Sequence, residues 1–392
     1  MSYVALPRHT TQTSTLSELT HVFSDLKAGI DRSHRLVHQL VAQPRDKPTL
    51  IFDLSEIEDK MQQLRLTAKK NDAEVLVAVK SAANPAYLET AKQQLDGFDV
   101  SNLREYEAIP GDLTGRLVSL TSPMMDANLS EFQAKRNELL VTVDSEQQWQ
   151  QIERSAHRPA YLLRVQTSGL LGEFEEPSRF GYTRDQALLH IRNPLRAPSG
   201  FHLHHGGESN SGETYKQLIQ ALKQMAEERS FQLDILNLGG GWHLLNPAEI
   251  HNVLTFAREL LPKSRILLEP GRYFTQGSGF ASGNIVNRHE HDDIISYTLD
   301  LSAQCHLRWS SPRLVCPVSK AARQLKEVRF YGPTCYEWDC IGTFLVPFKN
   351  DLENESGLSI GKPVIFSDVN AYSSALNSTF NGIEAASVEW QP

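Results

Sequence analysis

The sequence predicts a (β/α)8 barrel followed by an all-β domain. Two observations carry this. Between residues 75 and 270, eight short apolar runs recur, separated by longer stretches, several of helical character. Apolar runs alternating with helices mark parallel strands covered by helices, and eight of them point to a closed barrel. An open doubly wound sheet is the competing arrangement. After residue 280 the texture changes: "IISYTLDL", "RLVCPV", "EVRFYG", "TFLVPF" and "KPVIFSD" come close together with no long helix between them. That spacing belongs to an all-β domain, of sandwich or barrel-like type.

Taken in order, residues 1–47 are polar and partly helical in pattern, closing in the turn-like "QPRDKP". This segment is expected to pack with the β-domain. "TLIFDL" then reads as a short apolar strand, followed by the eight runs "VLVAVK", "GFDVS", "RLVSLTS", "LLVTVD", "YLLRV", "FHLHH", "ILNLGGG" and "RILLEPGR". The expected division is therefore 1–47, a barrel over 48–280, and a β-domain over 281–392.

Several function classes are excluded early. A net charge of −8 gives no basis for gripping a phosphate backbone. No apolar run approaches the roughly 18 residues of a membrane span. "MSYVALPRHTTQTSTLSELT" lacks the basic and apolar regions of a secretion signal. Cys305, Cys316, Cys335 and Cys340 have neither zinc spacing nor the density of a disulfide framework. The expectation is a reduced, cytoplasmic protein without a metal, a nucleic-acid partner or a membrane.

Barrel active sites lie at the C-terminal ends of the strands. There the sequence places Lys80, then His202, His204 and His205, then Gly239, Gly240 and Gly241, then Glu269 with Arg272 just beyond. Singly, each has a plain reading: a solvated strand end, a structural histidine, a flexible turn. Together they suit one ligand. Glycines let backbone N–H groups approach a phosphate, and Arg272 adds charge there. Glu269 holds a proton on a ring nitrogen, His204 stacks on a flat ring, and Lys80 forms a Schiff base with an aldehyde. An aldehyde, a phosphate and a ring nitrogen in one molecule describe pyridoxal 5′-phosphate.

On these residues the chain resembles the fold-type III pyridoxal-phosphate decarboxylases, the group holding diaminopimelate, ornithine, arginine and carboxynorspermidine decarboxylases. The resemblance spans about residues 48–383. "VAVKSAANPAYLETAKQQLDGFDVSN" resembles the segment around the Schiff-base lysine, "SRFGY" a short family motif containing Arg179, and "FHLHHGG" the strand of the ring-stacking histidine. "LNLGGGW" matches the phosphate loop and "EPGR" the Glu–Arg pair. "YGPTCYEWDCIG" resembles the motif of the catalytic cysteine, and "FSDVNAYSSALNSTFNG" the C-terminal signature.

The resemblance implies an alanine-racemase-like TIM barrel and a carboxy-lyase. It implies Lys80, His204 and Cys335 as catalytic residues, Cys335 returning a proton to the substrate. Tyr372 is implied near the phosphate, with Arg179, Tyr336, Glu337 and Phe380 on the substrate side. It also implies a homodimer with shared active sites. Glu269 separates the chain from alanine racemases, which place an Arg near the ring nitrogen and use a Tyr as second base.

The chain departs from the family pattern at four places. Tyr336 follows Cys335 where the diamino-acid enzymes carry Asp or Glu, with Glu337 one position on. Gly207 stands where a Ser is expected, with Ser209 and Ser211 nearby. "KSAANP" has one residue more than usual before Asn84, and "TSPMMDAN" is more apolar at Met124 and Met125. A missing distal acid disfavours plain ornithine or lysine, whose cationic tails want a paired carboxylate. A conjugated amino acid, such as a citryl-coupled one in siderophore assembly, ranks first, with Arg104, Arg179 and His205 to meet added carboxylates. A polyamine precursor of the carboxynorspermidine type ranks second and diaminopimelate third. A catalytically inactive regulatory homologue would lack Lys80 or Cys335, and both are present.

Overall fold

The computed structural model describes residues 36–40, 42–125, 128–155, 158–171, 178–192, 197–206, 211–291, 294–315, 324–348 and 358–392. The chain divides into Met1–Pro44 and Arg45–Pro392. The expected packing of segment 1–47 falls mostly outside the described residues, as do Gly207, Ser209 and Cys316.

Within the second unit, β1 (Thr49–Asp53) is followed by eight strands that close a parallel barrel in chain order. They are β2 (Ala73–Ala78), β3 (Gly97–Val100), β4 (Leu117–Thr121), β5 (Glu138–Val143), β6 (Ala160–Arg164), β7 (Gly200–His202), β8 (Ile235–Asn237) and β9 (Arg265–Leu268). Each coincides with one of the eight apolar runs. β7 and β8 span three residues each.

The covering helices follow local chemistry. Helix Gly212–Glu228 buries Tyr215, Leu218, Ile219, Leu222, Met225 and Ala226, one stripe at three- and four-residue spacing. Helix Pro247–Leu260 starts with Pro in its first turn and a reciprocal Asn246/Glu249 capping box. Between β4 and β5 the described connection holds a 3-10 turn, Leu129–Gln133, in place of a long helix.

The second sheet holds β1, β10 (Gly279–His291), β11 (Ile294–Leu299), β12 (Arg313–Val315), β13 (Gln324–Tyr331), β14 (Cys340–Phe348), β15 (Pro363–Ser367) and β16 (Ser387–Gln391). A register shift between Ile285 and Asn287 lets β10 pair first with β1 and β15, then with β11. β1 lies between β10 and β16 and belongs to this sheet, not to the barrel wall. All five of its residues are buried, so its composition does not distinguish a barrel strand from an internal strand elsewhere. Among the described residues no helix is long and apolar enough to cross a membrane.

Candidate active site

Barrel strands turn the same face inward every second residue. Leu76, Leu117, Leu140, Leu162, Ile235 and Leu267 form an apolar plug. Fully burying such a side chain contributes about 1.5–3 kcal/mol. Two residues on, the same strands carry Ala78, Ser119, Thr142, Arg164 and Asn237, with Glu269 just past β9. The other two strands add Asp99 and His202. Of these, Asp99, Ser119, Thr142, His202, Asn237 and Glu269 are buried polar groups at the C-terminal end.

Glu269 is the centre of this layer. Its Oε1 accepts from Ser119 Oγ at 2.8 Å and Asn237 Nδ2 at 2.6 Å, and its Oε2 pairs with His202 Nε2 at 3.2 Å. Burial would push this carboxyl up, but the hydrogen bonds from His202 and Asn237 and the Lys80 charge outweigh it and hold it below the usual carboxylate range. Burial pushes the His202 imidazole below its usual range. At neutral pH the ring is therefore uncharged, and it acts on Glu269 as a hydrogen-bond donor rather than as a cation.

Lys80 lies in the one-turn 3-10 segment Val79–Ser81 that continues β2. Its Nζ reaches Asp99 Oδ2 at 2.9 Å. Burial lowers the lysine's proton affinity, but the charges of Asp99 and Glu269 more than offset this. The Lys80 side chain is 40% exposed, so we assign its state to those charges and not to desolvation. Burial, then the Glu269 charge, push Asp99 up to about 7 against the pull of Lys80. Tyr372 is also pushed up by burial, and packs against Trp309 at a ring separation of 5.3 Å.

His204 is walled by glycines. A Cβ on Gly206 would lie 2.5 Å from its Nε2, one on Gly240 3.0 Å from its Cε1, and one on Gly239 3.2 Å from its Nδ1. Gly240 N–H donates to His204 Nδ1 at 3.2 Å, and burial, then the nearby Lys80 charge, bring the imidazole down to about 3. Gly239 and Gly241, at φ 60° and 94°, occupy the left-handed region that side chains resist. Beneath the loop, Trp242 Nε1 donates to Gly239 O at 2.8 Å, and Trp242 stacks on Tyr215 at 4.3 Å. Tyr215 Oη in turn donates to Gly240 O. Arg272 begins helix Arg272–Thr275, and its charge helps hold the partly buried His243 down at about 4, after burial itself. Gly271 leaves room for Tyr372, whose Oη would lie 2.9 Å from an added Cβ.

The arrangement offers an amine, a buried ionised carboxylate, a neutral imidazole and a glycine loop with a nearby arginine. It fits pyridoxal phosphate in donor chemistry and in the space the glycines leave.

Cys335 stands in a second cluster, on the β13–β14 connection. It is exposed, and its N–H donates to Asn381 Oδ1 at 2.9 Å. It lines a cavity of about 400 Å3 with Tyr331, Thr334, Tyr336, Glu337 and Asp339, all residues of the second sheet and its loops. Asp339 anchors the loop, accepting from Ser302 Oγ at 2.9 Å, Gln304 N–H at 3.1 Å and Thr334 Oγ1 at 2.8 Å. Tyr336, Trp338 and Phe380 are exposed.

Residues 54–276 match the family described as pyridoxal-dependent decarboxylase, pyridoxal binding domain. The chain belongs to this family. It is a pyridoxal-phosphate-dependent amino-acid decarboxylase. It is 25% identical over 352 residues to the ornithine decarboxylase of Schizosaccharomyces pombe, covering 83% of this chain and 80% of that one. It is 21% identical to antizyme inhibitor 2 of Xenopus laevis, over 89% and 82% of the two chains. In fold it resembles the arginine decarboxylase of Paramecium bursaria Chlorella virus bound to agmatine. The TM-score is 0.76 at 19% identity, covering 91% of this chain and 100% of that one.

The decarboxylase thus brings Lys80, His204, Gly239–Gly241, Glu269, Arg272 and Tyr372 together at one barrel end. Cys335, Tyr336, Glu337 and Phe380 lie on the second sheet and its loops. Arg179 is exposed, its guanidinium 3.9 Å from the Phe180 ring, whose centroid also lies 4.7 Å from the Arg164 guanidinium. His205 is buried against Thr167 at 3.3 Å, so its place is in the framework. Asn84 caps helix Pro85–Gln94, and Ser211 caps helix Gly212–Glu228. In the sequence alone, no motif singles out Asp99, Ser119, Arg164 or Asn237, and His202 has no assigned role. The signal was present: each is a polar residue inside an otherwise apolar parallel strand, where burial demands a partner.

Proposed function

We propose that this decarboxylase acts on an amino acid whose distal end is not a free ammonium, and that a conjugated amino acid of the citryl-coupled, siderophore-pathway kind is its substrate class. The observation that carries this is the Cys335 loop. The residue after Cys335 is Tyr336, and the buried Asp339 carboxylate is spent on Ser302, Gln304 and Thr334. A polyamine precursor of the carboxynorspermidine type is the second reading, because Glu337 lines the same cavity and carries a carboxylate that a cation could pair with. Diaminopimelate ranks third.

In this reading Lys80 is the residue that bonds the cofactor aldehyde, and Glu269 pairs with the ring nitrogen. His204 covers the ring. Gly239–Gly241, Arg272 and Tyr372 take the phosphate. When bound, pyridoxal phosphate supplies the electron sink for the pair left as the α-carboxylate departs. Lys80 Nζ accepts and returns protons at the substrate amine, and Cys335 Sγ delivers the proton to Cα. Arg179 and Phe380 face the substrate's distal part with Tyr336.

Cys335 lines its cavity with second-sheet residues and sits beside exposed Tyr336, Trp338 and Phe380, which supports supply of the thiol from a second copy. We therefore include a homodimer with shared sites, and a reducing cytoplasm in keeping with free Cys305, Cys335 and Cys340.

The test is CO2 release from cofactor-loaded protein on a split panel. One side holds ornithine, lysine, arginine and meso-diaminopimelate, the other carboxynorspermidine and citryl-coupled amino acids. Turnover confined to the second side is expected. Strong turnover of ornithine or lysine would mean that Glu337 serves as the distal acid and that the assignment of Tyr336 is wrong.

A further inference from the structure

We propose that His202 is a positioning residue that decides where the proton between Glu269 and the cofactor ring sits. The inference rests on the cofactor site proposed above and concerns a residue that site does not use. Three donors from three barrel strands converge on one carboxylate: Ser119 from β4, Asn237 from β8 and His202 from β7. Two of them share Oε1, so His202 is the one that holds Oε2. Asn237 cannot be turned to replace it, because its Oδ1 accepts the Gly239 N–H at 2.9 Å.

A proton shared by a carboxylate and a pyridine nitrogen rests on whichever is the better base. Each hydrogen bond donated to the carboxylate makes it the worse base. With Ser119, Asn237 and His202 all donating, the proton is driven to the ring nitrogen. His202 must then carry its proton on Nε2. Its other nitrogen, Nδ1, is buried without a partner, so no group in the described structure holds the opposite tautomer in place. The groups facing His202 are Glu269, Arg164, Lys80 and His204, and burial first, then the Arg164 and Lys80 charges, keep the imidazole neutral against the pull of Glu269. A neutral ring with a fixed Nε2–H is a donor whose strength does not change as the pH crosses neutrality.

The experiment compares wild type, His202→Gln and His202→Leu. Gln keeps an amide donor near Nε2; Leu removes it at similar bulk. Apo-protein is reconstituted with pyridoxal phosphate labelled with 15N in the ring, and the ring-nitrogen shift is read by NMR without any substrate. Wild type and His202→Gln are expected to show a protonated ring nitrogen. His202→Leu should move the shift toward unprotonated pyridine and lower kcat by about tenfold, with KM within about twofold. Equal shifts in all three proteins overturn the proposal.

Should His202→Leu not fold, the wild-type apo-protein decides by long-range 1H–15N correlation. A neutral Nε2–H ring from pH 7 to 9 is expected, and a cationic or Nδ1–H ring overturns the proposal. The ring-nitrogen readout needs no turnover, so it is separable from the substrate assignment. Failure of the wild type to bind pyridoxal phosphate would overturn both.

Discussion

Asp99→Asn tests whether a carboxylate that the cofactor does not need sets the state of Lys80. The substitution is isosteric and removes the charge 2.9 Å from Nζ. Lysine titrates at alkaline pH, where Asp99, with a pKa of about 7, is fully ionised, so its whole charge acts on the ammonium. At an effective dielectric near 20, unit charges 2.9 Å apart attract by about 6 kcal/mol. Water reaching a side chain that is 40% exposed screens most of this, leaving about 1–3 kcal/mol, a shift of about 1–2 pKa units. The sign follows from the pair: Asp99 favours the charged amine, so removing it lowers the Lys80 pKa. The assay is the pH dependence of Lys80 acylation in apo-protein, followed site by site by mass spectrometry. The half-point is expected to move down by about 1–2 units, with about tenfold or more faster acylation at a fixed pH below it. An unmoved profile would show that Asp99 does not hold the ammonium.

Further outcomes concern the cradle and the two clusters. Gly206→Ala places a methyl 2.5 Å from His204 Nε2, so the imidazole must tilt; pyridoxal phosphate affinity of the apo-protein, measured by fluorescence, should fall by about tenfold, or about 1.4 kcal/mol. Lys80→Ala should abolish turnover and the visible absorbance of the lysine-bound cofactor, and a fully active variant would refute the role. Cys335→Ala should bind the cofactor as wild type does while losing correct proton return, seen as altered products; normal products at a normal rate would remove Cys335 from the chemistry. Leu236→Ala, at a fully buried barrel position, should cost about 2–5 kcal/mol in denaturant unfolding, and a loss below about 1 kcal/mol would contradict the packing described.

The eight barrel strands were legible because a parallel strand buried on both faces is written as a mostly apolar run. The second sheet was legible in part. "IISYTLDL" and "EVRFYG" mark β11 and β13, but β10, with Gly279, Ser282, Gly283 and Asn284, does not read as a strand. β1 reads as a strand of undecided membership, since pairing partners more than 220 residues away leave no local trace.

The same division holds in the site. Lys80, His204, Gly239–Gly241 and Glu269 announce themselves as chemistry-bearing types at strand ends. Asp99, Ser119, His202 and Asn237 do not, because their meaning lies in what they face. Period-two alternation fixes that each stands on the barrel's inward side, two places beyond the apolar plug or level with that layer. Only closure of the barrel sets Ser119, His202 and Asn237 around Glu269, and Asp99 beside Lys80. The sequence by itself determined the strand rhythm and the kinds of groups at its ends. The tertiary structure decided which of them share a proton, because hydrogen bonds between strands depend on register and closure, and those are properties of the whole sheet.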